Sequence, residues 1–171
     1  MSALSIRLYE PADADELAAA VVESVAEIGQ WMGWCRPDYS ADQAREWIES
    51  QQELVRSGLA FEFAIRGGGG AYLGGCGVNQ VNRAHRFANL GYWVRASATG
   101  RGVAPAAARL VADRVFRETD LVRLEIVCAV GNVRSQRVAE KVGAVREGVL
   151  RRRLIIPSGP TDAVMYSLVR E

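Results

Sequence analysis

Apolar residues recur along this chain in two rhythms, and the switches between them mark out its elements. Residues 4 to 9 can form a first strand. Leu17, Val21, Val25 and Ile28 then repeat at helical spacing, and Asp13 and Glu16 before them have the spacing of a capping box. Ala44, Trp47, Ile48 and Leu54 give the next helix one apolar face, with Ser40 and Gln43 as a second capping box. Residues 60 to 66 and 71 to 79 read as strands around Gly67 to Gly70, and a hairpin at Asn82 to His85 leads into a strand at 86 to 95. A helix follows over 102 to 118. Residues 121 to 130 form a strand in which Val122, Leu124, Ile126 and Cys128 alternate toward one side. A short helix at 133 to 142 ends at Gly143, a C-cap residue, and the tail predicts strands at 144 to 156 and 161 to 169 around the turn Pro157-Ser158-Gly159-Pro160.

The order is strand, two helices, three antiparallel strands, helix, strand, helix, two strands. It predicts an α/β (α+β mixed-sheet) domain over residues 1–171, with about seven mostly antiparallel strands and about four helices. The regular alternation of a doubly wound nucleotide fold is absent. The length suits one domain. With 21 basic and 20 acidic residues the net charge is +1, which excludes a strongly basic nucleic-acid binder; the run Arg151 to Arg153 reads as a solvated strand end or turn. Cys35, Cys76 and Cys128 lie far apart, as free thiols of a reducing compartment do, and no cluster of zinc or iron ligands accompanies the one histidine, His85. No membrane-length apolar run and no leader pattern in MSALSIRLYEP is visible, so a cytoplasmic location is expected.

Candidate chemistry concentrates in ANLGYWVRASATGRGVAPAAARLVADRVF, residues 88 to 116. Gly100 and Gly102 form a turn between a strand and a helix whose apolar face carries Val103, Ala107, Leu110, Val111 and Val115. Pro105 falls in the first turn, where no intrahelical N–H bond is lost. A helix start offers N–H groups without partners and the positive end of its dipole, and glycines let an anion approach. Such a turn suits a pyrophosphate, although the same glycines would also serve a plain strand-to-helix turn. Gly67 to Gly70 is no P-loop, because no Lys-Ser/Thr pair and no helix follow it.

The segment Thr99-Gly100-Arg101-Gly102-Val103-Ala104 resembles the acetyl-CoA motif Q/R-x-x-G-x-G/A of the GNAT acetyltransferase superfamily, with Thr99 in place of the usual Gln or Arg. A second segment, AVGNVRSQRVAEKVGAVREGVLR at 129 to 151, resembles the N-x-x-S motif of the Rim-type branch that acetylates ribosomal-protein N-termini. The resemblance implies a GNAT fold and an N-acetyltransferase with acetyl-CoA as co-substrate and no metal. It also implies cofactor contacts at Thr99 to Ala104 and through the main chain of Trp93, Val94 and Arg95, which line a strand that splays from its neighbour. Ser135 would meet the CoA sulfur and protonate the leaving thiolate. Asn132, suited as a helix N-cap in its own right, would contact the pantetheine arm.

For the proton of the attacking amine several groups stay open. Glu62 could face the cleft, Tyr166 could act as acid or orienter, and His85 lies in a predicted turn; no counterpart of the acidic base of Rim-type relatives appears near Arg151 to Arg153. The acceptor is expected against the aromatic loop Trp31, Trp34 and Tyr39, with Glu62 and Asn79 opposite. That loop carries one acid, Asp38, which suits a peptide or amino acid better than a polycation. The reading is therefore acetyl transfer to a primary amine, with the N-terminus of a ribosomal or other protein first. A small-molecule amine (antibiotic, amino acid or polyamine) and a non-catalytic CoA sensor stand as alternatives. Expected partners are acetyl-CoA, the amine acceptor and a second copy in a homodimer, with no nucleic acid and no membrane.

Overall fold

The computed structural model describes residues 4–171; Met1 to Ala3, the start of the segment read above for a leader, lie outside them. Ser5–Leu8 form β1. The capping box expected of Asp13 and Glu16 does not form. Asp13 is instead a buried carboxylate that accepts from the Glu10 N–H at 2.9 Å, from Arg7 at 2.6 and 2.8 Å, and from Arg66. Glu16 turns to Arg66 as well, at 2.5 Å. A buried carboxylate needs opposite charge, which two guanidiniums supply better than one helix N–H. Burial raises the Asp13 carboxyl, but the hydrogen bonds from Arg7 and the Glu10 N–H outweigh it and the net direction is down.

The apolar repeat from Leu17 to Ile28 predicts one helix, whereas the structure has two, α1 (Ala14–Glu23) and α2 (Val25–Ile28). The break falls at Ser24. Its hydroxyl donates back to the Ala20 carbonyl at 2.6 Å and accepts the Ala96 N–H at 3.0 Å, so a buried side chain competes with the helix ladder and ties the break to a distant segment. The next helix, α3 (Ala41–Arg56), starts at the capping box read from sequence: the Gln43 N–H donates to Ser40 at 3.2 Å and the Ser40 N–H to Gln43 at 3.0 Å.

The remaining elements are β2 (Phe61–Arg66), β3 (Tyr72–Asn82), β4 (Phe87–Val94), α4 (Val103–Glu118), β5 (Arg123–Ala129), α5 (Val133–Val142), β6 (Val145–Ile156) and β7 (Gly159–Val169). The seven strands form one sheet in the order β1-β2-β3-β4-β5-β7-β6. Every pairing is antiparallel except β4 with β5, whose parallel alignment requires a crossover, supplied by α4. The register slips between Leu150 and Leu154, and Arg151 to Arg153 are exposed there. No helix among the described residues is long and apolar enough to cross a membrane.

Strand alternation gives the sheet two apolar faces. Phe63, Ile65, Cys76, Val78, Ala88 and Leu90 pack with Val103, Ala107 and Val111 of α4 on one side. Leu17 and Val21 of α1, Ala44 and Ile48 of α3, Ala64 and Trp93 pack on the other. One irregularity matters most. β4 and β5 pair only from Phe87–Arg123 to Asn89–Glu125, after which β5 continues along β7 and β4 runs on beside β3 alone. The edge of β4 from Leu90 onward is thereby released, and a gap opens between the sheet's two faces.

Candidate active site

The glycine turn lies at the α4 side of this gap. Gly100 and Gly102 both have φ of 75°, a left-handed backbone that glycine adopts without strain, and Gly102 is the α4 N-cap. A Cβ at either position would meet nothing within 4 Å, so the space above the turn is free of protein. The N–H groups of Gly102, Val103 and Ala104 have no backbone acceptor among the described residues, and Pro105 has no N–H to satisfy. Free donors at the positive end of a 16-residue helix suit a diphosphate.

Above this turn lies a cavity of about 380 Å³. Thr99, Gly100, Gly102, Val103 and Ala104 line it at the bottom, Trp93 and Val94 along β4, and Asn132 and Ser135 on α5. These predicted cofactor residues are thus brought together. Two others are not. The Arg95 N–H donates to Leu73 O at 2.9 Å, its guanidinium bonds Glu23 and Tyr72 O, and neither Arg95 nor Arg101 lines the cavity. After Val94 the chain turns into a 3₁₀ segment, Ala96–Ala98, that Glu23 and Ser24 hold in place, so Arg95 serves α1 instead. Conversely, Arg134, Arg137 and Lys141 line the cavity unannounced. Their spacing, three then four residues, puts them on one helical stripe, a signal that was present in the sequence.

Asn132 caps α5, accepting the Ser135 N–H at 3.1 Å. The Ser135 hydroxyl lies 3.1 Å from the Tyr92 hydroxyl and 3.1 Å from Cys128 Sγ, and Tyr92 also donates to the Ser135 carbonyl at 2.8 Å. Burial pushes the Tyr92 phenol far up and the Cys128 thiol up, so both hold their protons at neutral pH. The sequence reading passed over Tyr92, although strand alternation puts it on the face opposite Trp93. Tyr166 does not join this cluster. It is buried on β7, donates to Glu140 at 3.2 Å and does not line this cavity, because β7 lies beyond β5, away from the gap. His85 is exposed in its turn.

On the other face a second cavity, of about 370 Å³, is walled by Trp34, Tyr39, Trp47 and Trp93, with Glu62 and Asn79 on the sheet. Trp34 packs edge-on to Trp93 at 5.6 Å and to Tyr39 at 6.4 Å. Trp31 departs from the expectation that grouped it with them. It lines the first cavity, its ring 3.3 Å from where a Cβ of Gly131 would stand, so one loop reaches both sides of the gap. The two cavities share Met32, Tyr92 and Trp93. Two ligands entering from opposite faces of the sheet would meet at the end of β4.

Residues 3–145 match the family model described as Acetyltransferase (GNAT) domain. A Bacillus subtilis (strain 168) protein named "Putative ribosomal N-acetyltransferase YdaF" is 31% identical over 174 residues, spanning 98% of this chain and 91% of its own. The ribosomal-protein-serine acetyltransferase of Escherichia coli (strain K12) is 24% identical over 140 residues, 82% of this chain and 78% of its own. The solved structure of RimL, a ribosomal L7/L12 α-N-protein acetyltransferase in complex with coenzyme A, shares the fold, with a TM-score of 0.90 at 22% identity over 99% of this chain and 95% of that one. On a family match over most of its length and 31% identity to a relative along nearly all of it, the chain belongs to the GNAT acetyltransferase family and is an acetyl-CoA-dependent N-acetyltransferase.

Proposed function

We propose that this enzyme acetylates the α-amine of a protein N-terminus, with acetyl-CoA in the cavity over the glycine turn and the acceptor in the aromatic cavity. The observation that carries the reading is the meeting of the two cavities at Tyr92 and Trp93, across the gap between β4 and β5. In this arrangement the N–H groups of Gly102 to Ala104 hold the diphosphate, and Arg134, Arg137 and Lys141 add positive charge beside it. The released edge of β4 at Trp93 and Val94 donates to the thioester oxygen, where negative charge develops. The Ser135 hydroxyl gives its proton to the departing sulfur, and Tyr92 orients it. Holding both reactants at one gap supplies much of the rate.

The acceptor side favours a single amine on an apolar neighbour. Six aromatic side chains line the cavity, and Glu62 is the one carboxylate lining it, too little negative charge for a polycation. Relatives named as a putative ribosomal N-acetyltransferase and a ribosomal-protein-serine acetyltransferase favour a protein acceptor. The test is an acetyl-CoA consumption assay against peptides with free N-termini beginning in Ser or Ala, the same peptides blocked at the N-terminus, amino acids, spermidine and an aminoglycoside. Turnover with free-amine peptides that is lost on blocking is the expected result. Faster turnover with spermidine or the aminoglycoside would replace the peptide reading.

A further inference from the structure

The acceptor's nitrogen must lose a proton before it can attack, and the groups facing the aromatic cavity differ in their capacity to take one. Tyr9, Tyr39, Cys76 and Tyr92 all line it, and burial pushes every one of these phenols and thiols up, so none is a base near neutral pH. No Lys, Arg or His lines it. Glu62 is the remaining titratable group, and its surroundings hold it in one pose. Asn79 donates to its Oε1 at 3.0 Å, and Asn89 in turn donates to Asn79 at 3.1 Å. Its strand partner is Gly77, where a Cβ would fall 2.0 Å from Glu62 Oε2, so the glycine clears the volume that this oxygen occupies. Oε2 has no hydrogen-bond partner among the described residues and is not sealed from solvent.

Glu62 also stands where two cavities adjoin. A third, of about 250 Å³, lies between β1 and α3 and is lined by Leu8, Tyr9, Gln51, Gln52, Arg56 and Glu62 among others. Tyr9 and Glu62 border both this groove and the aromatic cavity. The one cation there, Arg56, is paired with Glu53.

We infer that Glu62 takes the acceptor's proton, and that the groove between β1 and α3 returns it to solvent. The inference rests on the acceptor occupying the aromatic cavity. An ammonium group entering from Trp34 gives one proton to Glu62 Oε2, and the neutral amine attacks the thioester carbon. The C–N bond forms and the C–S bond breaks. The nitrogen sheds its second proton, and the thiolate gains one through the Ser135 hydroxyl. The net products are amide, thiol and one proton, which leaves Glu62 for water in the groove. Burial raises the Glu62 carboxyl above the usual carboxylate range while the Asn79 hydrogen bond lowers it, and the net shift is upward, closer to the operating pH of a base.

The test compares wild type, Glu62→Gln and Glu62→Asp, using the free-amine peptide that wild type acetylates fastest, with kcat and KM followed from pH 5 to 9. Wild type should lose activity in acid as Glu62 protonates. Glu62→Gln should lose roughly 100-fold in kcat at pH 7, and its activity should rise only toward the amine's own pKa of about 8. Glu62→Asp should keep the acid limb at a reduced rate. Acetyl-CoA affinity by calorimetry should stay within about 2-fold in both variants, because the diphosphate cradle lies on the opposite face. An unchanged kcat and acid limb in Glu62→Gln, or a raised KM alone, overturns the assignment of Glu62 and leaves acetyl transfer standing. A wild type that binds acetyl-CoA but acetylates no peptide overturns the peptide reading and this inference with it.

Discussion

The two cavities that meet at Tyr92 and Trp93 are built from different materials. The side proposed for acetyl-CoA is mostly backbone: a left-handed turn at Gly100 and Gly102, free N–H groups at one helix start, and the released edge of one strand. The acceptor side is mostly side chains, gathered from the loop after α2, from α3 and from β2, β3 and β4. A backbone cradle needs only that few side chains intrude, so a short motif specifies it. A side-chain pocket depends on which rings and carboxylates the fold happens to bring together, so its specificity can change while the cradle stays. Even its glycines work differently. Gly102 is required by its own φ, whereas Gly75 and Gly77 make room for neighbours: a Cβ on Gly75 would lie 2.6 Å from the Tyr9 hydroxyl and 2.7 Å from Trp93 Nε1.

Substitutions that strike one side alone would break or sharpen this contrast. The largest effect is expected from Gly102→Glu, which puts bulk and negative charge over the cradle. Acetyl-CoA affinity by calorimetry should fall at least ~100-fold, ~3 kcal/mol, and an unaltered Kd would remove the diphosphate from this turn. Next comes Gly77→Ala, whose Cβ would crowd both the Glu62 carboxylate and the Phe61 carbonyl on β2. Turnover should drop on the order of 10- to 100-fold with acetyl-CoA affinity intact, and a matching loss of that affinity would show that the two sides are not separable. Ser135→Ala sits between them. A thiolate leaves readily on its own, so the fall in kcat should be smaller, roughly 10-fold, with little change in Kd. Wild-type rates would take Ser135 out of the reaction.

The smallest effect is one of stability. The folded-state pKa of Glu62 lies above its unfolded value, so the native state binds that proton more tightly. Stability therefore declines as pH rises from the ordinary carboxylate range through the raised value. Glu62→Gln has no such proton, and its melting temperature should gain on wild type at pH 8 relative to pH 4. Equal differences at both pH values would mean that Glu62 costs the fold nothing. Such a cost, set beside lost activity, is the mark of a residue kept for function.

The parts of the site that could be read in advance are those whose partners are close in sequence. Ser40 finds Gln43, Asn132 finds the Ser135 N–H, and Gly100 and Gly102 shape their own turn. Misreadings arose where a distant residue competed. Asp13 forgoes Glu16 for Arg66, 53 positions away, and Ser24 breaks a helix while holding Ala96. The Arg95 guanidinium answers to Glu23 and the Tyr166 hydroxyl to Glu140, and neither residue lines the cavities that meet at Trp93. Tyr92 went unnoticed beside Trp93, because a strand's alternation tells which residues share a face but not which face meets Ser135.

By itself, then, the sequence determined the mixed sheet, the order of its strands along the chain and the glycine turn that opens α4, all consequences of periodicity, capping and glycine backbone freedom over a few residues. Only the tertiary structure decided that β4 and β5 part after three paired residues, that Trp31 and Trp34 fall on opposite sides of the resulting gap, and that Glu62 is the carboxylate bordering both the aromatic cavity and the β1–α3 groove. The reason is physical. A strand's departure from its neighbour and a carboxylate's isolation are set by packing among elements far apart in the chain, and no local pattern encodes the distance between them.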